Sequence, residues 1–191
     1  MARRRKNDDS DGDAHDAVRR IAQAQIRQFP DPVLRSKSRA IDVFDNDLEA
    51  LSERMIGLAD DASGAGLAAP QIGLLRSLVV INFDEEEPWI AMANPQVVAY
   101  GAETQVAGEG CLSLDFLLRD GYSVPVERSI EVTIRWQDLQ GEVHTRTLQD
   151  MSARIFQHEV DHLDGILTID RAEPEARREA MRRLRLRERI T

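Results

Sequence analysis

The stretch "QHEVDHLDG", residues 157–165, decides how this chain is read. At about 100° per residue, His158 and His162 lie about 40° apart around a helix and one turn apart along it. Two imidazoles so placed can grip one ion. Glu159 lies about 100° from His158 and about 60° from His162, near enough to reach a water beside that ion without entering its coordination shell. Two ligands and a general base are the logic of the His-Glu-x-x-His pattern. An ordinary charged helix can carry the same pair by chance, so the neighbours matter. Met151 and Ile155 extend the histidine face, while Phe156, Val160 and Leu163 form a second apolar stripe. A helix apolar on two sides belongs in the centre of a fold. There, two histidines and two acids need compensation for lost hydration, which a metal supplies. Asp161 is a candidate acceptor for orienting a liganding histidine.

A catalytic metal site needs three protein ligands and an open position. The acids downstream of the motif, Glu173, Glu175 and Glu179, fall in a charged terminal helix. Upstream stands the chain's one cysteine, Cys111, in "GEGCLSL" (108–114), where Gly108 and Gly110 let the backbone turn tightly. A single cysteine makes no internal disulfide. It is a buried small apolar residue, a reactive thiol or a ligand. Taken with the two histidines, a Cys-His-His set is the economical choice, and a thiolate suits iron or zinc better than magnesium or calcium.

Outward from the motif, Asp150 is placed as the N-cap of a helix through "MSARIFQHEVDHL", ending near Gly165. Before it, Ile130, Val132, Ile134 and Trp136 alternate with polar residues. The turn "DLQG" (138–141) and a second alternating run, "EVHTRTL", follow, which predicts a hairpin with one buried face. "SLVVINF" (77–83) predicts a buried strand, and "IAMANPQVVAY" (90–100) a strand broken near Pro95. "GAGLAAPQIG" (64–73) is a Gly-rich loop, and "IRQFPDPVLRSKS" (26–38) an irregular segment. Apolar residues at 48, 51, 55, 56 and 59 predict a helix capped by Asp45 or Asn46. The expected fold is therefore α+β: antiparallel sheets around a central helix carrying the motif, plus an N-terminal helix and a C-terminal helix. Residues 1–20 are expected to be a disordered arm, 21–172 the catalytic domain and 173–191 a basic C-terminal helix.

The 191 residues, 42% hydrophobic and 31% charged, suit one globular domain. No apolar run is long enough for a membrane span. The start, "MARRRKNDDSDGDAHD", lacks the apolar core of a secretory leader, so the expected location is the cytoplasm. A net charge of -9 argues against a general nucleic-acid binder. Residues 171–191 nevertheless hold eight Arg against four Glu. Such a surface is either a solvated face or a docking element for an anionic partner.

Three segments together, "GAGLAAPQ" (64–71), "EGCLS" (109–113) and "QHEVDHLDG" (157–165), resemble the three motifs of peptide deformylases, in the same order. Weaker similarity spans about residues 26 to 172 and includes "FPDPVLR" and "ILTIDR". The resemblance implies a single divalent metal held by Cys111, His158 and His162. Fe(II) is the expected ion, with Zn or Ni as substitutes. It implies Glu159 as general base and acid, and Gln71 with the backbone N–H of Leu112 as oxyanion donors. Gly64, Ala65 and Gly66 would meet an extended peptide, and Glu109, Arg154 and Ile155 would complete the substrate site, with Arg154 and Ile155 beside the methionine side chain. The substrates implied are N-formylated nascent peptides, deformylated with release of formate, and the basic C-terminal helix is expected to dock on the ribosome. This sequence departs from the family pattern after Ser113. Asp115 stands where proline is usual, about three extra residues precede "VP" (124–125), and Val126 follows that pair where arginine is common, with Arg128 nearby to hold Glu109. These departures fall on the pocket rim, which keeps open a shifted substrate range or an inactive binder of N-formylated peptides. A generic two-histidine peptidase fits less well, since neither Cys111 nor "GAGLAAPQ" is expected there.

Overall fold

A computed structural model describes residues 17–84 and 86–187. The motif helix is α4 (Asp150–Leu163), and it touches strands of both sheets in the molecule. One sheet has five antiparallel strands in the order β1-β2-β3-β6-β7, formed by Gly66–Ala68, Leu78–Ile81, Ile90–Tyr100, Glu131–Gln137 and Val143–Gln149. The other pairs β4 (Thr104–Glu109) with β5 (Val124–Ser129). Helix α1 covers residues 17–25. Helices α2 (Asn46–Asp61), α3 (Asp115–Arg119), α5 (Thr168–Arg171) and α6 (Pro174–Arg187) complete the α+β architecture. Among the described residues, no helix is long and apolar enough to cross a membrane.

Packing follows the apolar periodicities. Phe156, Ala153 and Leu163 of α4 join Val79, Ile81, Met92, Val132, Ile134 and Leu148 in one cluster beneath the large sheet. The alternation of Val132 and Ile134 puts both on the same buried face of β6, and β7 pairs with it from Glu131↔Gln149 to Gln137↔Val143. The Asp45 carboxylate accepts from Leu48 N at 3.0 Å, capping α2, whose Leu48, Met55, Leu58 and Ala59 are buried. A third cluster holds Cys111, Leu114, Leu117, Val124 and Val126 together with Ala180 and Leu184 of α6.

Several expectations change. Pro95 does not break its strand: β3 runs through it with an irregular register between Ala93 and Gln96, and Asn94 takes a φ of 50°. Proline has no N–H for the ladder, and a bulge removes the need for one. The Gly-rich loop is partly strand β1 and partly a 3-10 turn, Ala69–Ile72. Asp150 is not the cap of α4. Gln149 holds that position in extended conformation, while Asp150 (φ 51°) donates its N–H to Ile130 O as β7 turns directly into the helix. Residues 17–20, placed in the N-terminal arm, are helical, and residues 1–16 lie outside the described residues.

Candidate metal centre and active site

The link from β4 to α3 carries Cys111, and α4 carries the histidines. The fold brings the ligand atoms of Cys111, His158 and His162 within 4.8 Å of one another. Cys111 Sγ lies 3.3 Å from His162 Nε2. His158 Nδ1 meets Glu109 Oε2 at 3.0 Å, which leaves Nε2 for the site. A carboxylate behind a ligand imidazole fixes its tautomer and ring orientation.

Glu109 is the hub of a buried ion network. It accepts from Arg128 Nε (3.0 Å) and Nη2 (3.1 Å) and from Arg154 Nη1 (2.7 Å). Burial works against its charge, but His158 and Arg128 hold its pKa down to about 2. Arg128 also reaches Asp161 at 2.5 Å, and Arg171 pairs with Asp161 at 2.6 Å. Asp161 thus receives arginines rather than orienting a histidine; Glu109 does that work. The arginine expected after "VP" is supplied by Arg128, which points inward from β5.

Electrostatics around the site suit a cation. Burial opposes charge on His158, yet its bonds to Cys111 and Glu109 outweigh this and push its pKa well above the ordinary value. Burial, with His158 and Arg128 adding to it, drives His162 well below and keeps its imidazole neutral. Among the described residues, His162 Nδ1 and Glu159 Oε2 are buried without a hydrogen-bond partner. A soft donor, two imidazoles and two buried, unpartnered polar atoms beside them fit a divalent transition metal.

Glu159 is buried, and that burial raises its pKa to about 7. It faces Gly66, where a Cβ would come within 2.6 Å of Glu159 Oε1. Gln71 is held by Ala68 N donating to its Oε1 at 2.8 Å. Its Nε2 donates to Ser113 Oγ at 3.2 Å and lies 4.0 Å from Cys111 Sγ. A cavity of about 250 Å³ opens here, lined by Gly64, Ala65, Gly66, Gln71, Glu109, Cys111, Leu112, Arg154, Ile155, His158 and Glu159. Every predicted site residue except His162 therefore lines one cavity, and buried His162 sits behind it. Glu109 and Arg154 turn their charged ends toward each other, and Arg154 also donates to Val126 O and Gln105 O. Met151, read from the sequence as part of the histidine face, lies on the cavity wall; sequence reasoning missed Leu118 on that wall, and Gln23 and Gln28, whose amides donate to Leu112 O at 2.5 and 2.8 Å. Both glutamines precede the first motif, with no periodicity to mark them.

The polypeptide deformylase family model matches residues 23–178. The chain belongs to the peptide deformylase family. It is 40% identical over 153 residues to the peptide deformylase of Thermotoga petrophila, covering 80% of this chain and 89% of that one. The enzyme of Desulfotalea psychrophila is 43% identical over 154 residues, covering 78% and 88%. Among solved structures, peptide deformylase 1B of Arabidopsis thaliana bound to an inhibitor superposes with a TM-score of 0.79 at 36% identity, covering 87% of this chain and 91% of that one. The Thermotoga maritima deformylase gives 0.72 at 40% identity, covering 78% and 97%. Deformylases are metal-dependent hydrolases, and the family's activity is deformylation of nascent peptides.

Proposed function

We propose that this chain hydrolyses the formyl amide at the N-terminal formyl-methionine of new polypeptides, with Cys111, His158 and His162 holding the metal. The observation that carries the assignment is the convergence of these three donors beside the unpartnered carboxylate oxygen of Glu159. When bound by these three residues, a divalent ion, with Fe(II) proposed and Zn or Ni as substitutes, would supply Lewis acidity toward the formyl carbonyl and water. Glu159 takes a proton from the attacking water and returns it to the leaving amine as the C–N bond breaks. A carboxyl titrating near neutrality suits both halves of that task. Gln71 and the Leu112 N–H stabilise the oxyanion, and the two bonds that orient the Gln71 amide place its N–H in advance. Strand β1 is an edge of its sheet, so an extended peptide can add beside Gly64, Ala65 and Gly66. Ile155, with Met151 and Leu118, offers apolar wall to the methionine side chain. Glu109 and Arg154, also on the cavity wall, hold His158 and the β4–β5 sheet in place behind the peptide.

The test is turnover of formyl-Met-Ala-Ser by anaerobically iron-loaded protein, with metal content measured alongside. E159Q keeps its metal and loses at least about 10²-fold in kcat. Near-normal turnover by this variant removes Glu159 from the acid/base role, and full metal content in C111A removes Cys111 from the ligand set.

The outer face of α6 supports docking on the ribosome. Arg177, Arg178, Arg182 and Arg185 line an open hollow with Met181 and Leu186, while Ala180 and Leu184 face the core. A cytoplasmic location accords with such a partner. Ribosome co-sedimentation drops in R178E/R182E/R185E at low salt; an unchanged profile rejects the assignment.

A further inference from the structure

Beyond the metal centre, Leu118 of α3 is a wall shared by two hollows. On one side it closes the active-site cavity, lying close over Gly110 next to Cys111. On the other it lines a cleft of about 290 Å³ formed with Arg19, Arg20, Gln23, Asp115 and Arg119. Three arginines and one aspartate line it, a local positive charge on a chain whose net charge is -9. Arg119 pairs with Asp115 at 2.5 Å, so the two offset each other and Arg19 and Arg20 supply the cleft's net positive charge. Helix α1 is anchored beside the catalytic loop: Ala22 and Ile26 are buried, and buried Gln23 donates to Leu112 O. Arg19 and Arg20 are thereby held one turn away from a residue of the active site.

We infer that this cleft is a subsite for a carboxylate on the peptide substrate, downstream of its formyl-methionine. The inference rests on the deformylase assignment above. The formyl cap removes the amino-terminal charge, so any charge on the substrate lies further along the chain. Because Leu118 lines both hollows, an extended peptide that leaves the cavity on that side passes the arginines downstream of its formyl-methionine. Guanidinium groups bind carboxylates through paired N–H donors, and this rim is open to solvent, so each contact adds a modest increment. The subsite acts on binding, not on the chemical step, and selects acidic over neutral or basic chains.

The experiment compares C-terminally amidated peptides formyl-Met-Ala-Ala-X-Ala with X as Asp, Ala or Lys, at low salt, using the full chain in its metal-loaded form. The position of X is scanned one residue either way, and a free C-terminal acid on the Ala peptide distinguishes main-chain from side-chain carboxylate. The expected result is a ratio of kcat/KM for Asp over Ala of about three to five, carried by KM and reduced by added salt. In R20E/R119E the preference inverts toward Lys. A ratio near one at every position in the unaltered enzyme, or a ratio that survives charge reversal, overturns the subsite. Turnover of the Ala peptide by the unaltered enzyme reports the deformylase assignment separately, so the two fail in different arms.

Discussion

Glu159 shows how one residue sets activity against stability. It sits where the active site requires a carboxyl, buried and facing Gly66. Its pKa rises from an ordinary 4.5 to about 7 because burial disfavours the charge. Below pH 4.5 both folded and unfolded chains carry the proton and nothing is lost. As pH rises from 4.5 to 7 the unfolded chain ionises first, so stability falls, and above 7 the full cost of about 3 kcal/mol is present. In the metal-free protein, E159Q should therefore resist urea better than the unaltered chain at pH 8 and equally at pH 4. A difference that does not vary with pH would show that burial of the charge is not its source. Gly66 has the complementary role. In G66A the new methyl group meets the Glu159 carboxylate, and we expect kcat to fall by at least about tenfold while the far-UV spectrum and metal content hold; an unchanged kcat rejects the close approach as a requirement.

At the scale of elements, legibility depended on whether a segment faces one environment throughout. Helix α4 and strand β6 were readable because their apolar residues repeat at a single period, whereas β7, which buries only Leu148, was legible through the turn that joins it to β6. Strands β4 and β5 were not. The inward positions of β5 include Val124, Val126 and Arg128, and a buried arginine breaks the alternation that marks a strand. Helix α3 spans five residues, too few for periodicity to register. The proposed catalytic residues were legible from their motifs, whereas the supports of Glu109 were only partly so, because Arg128 and Arg154 reach it from separate elements, β5 and α4. Buried ion networks are costly to break from one side. Replacing Glu109 with Gln removes the charge shared by two buried guanidinium groups, leaving Arg128 only Asp161 and Arg154 only main-chain oxygens, and loosens His158, so we expect a loss of about 3 kcal/mol in stability together with weaker metal retention. Denaturant unfolding and competitive chelation measure the two effects. Retention of both would mean that Glu109 neither anchors the sheet nor orients the imidazole.

For the whole molecule, the ligand set joins parts of the chain that the hydrophobic clusters keep separate. Cys111 belongs to the cluster formed by β5, α3 and α6, while the histidines ride on α4, whose apolar residues pack under the five-stranded sheet. Separation along the sequence leaves no spacing signal for this juxtaposition; Cys111 was legible as the third ligand through its chemistry, and the resemblance to a known family supported that choice before the geometry did. An ion held by all three donors ties the two packing units together, and it binds the folded chain alone because the unfolded chain cannot gather donors from positions 111, 158 and 162. With free metal at about 100 times its dissociation constant, such linkage adds about 2.7 kcal/mol. For a chain of this size that corresponds to a rise of about 5–10 °C in melting temperature. Chelation of the loaded protein should lower Tm by this amount, and re-addition of Fe(II) under anaerobic conditions should restore it. C111A, which lacks the ligand from the second packing unit, should melt at the same temperature with or without metal. If chelation leaves the unaltered protein's Tm in place while abolishing turnover, metal binding is not coupled to folding and the stabilising link between the two units is rejected.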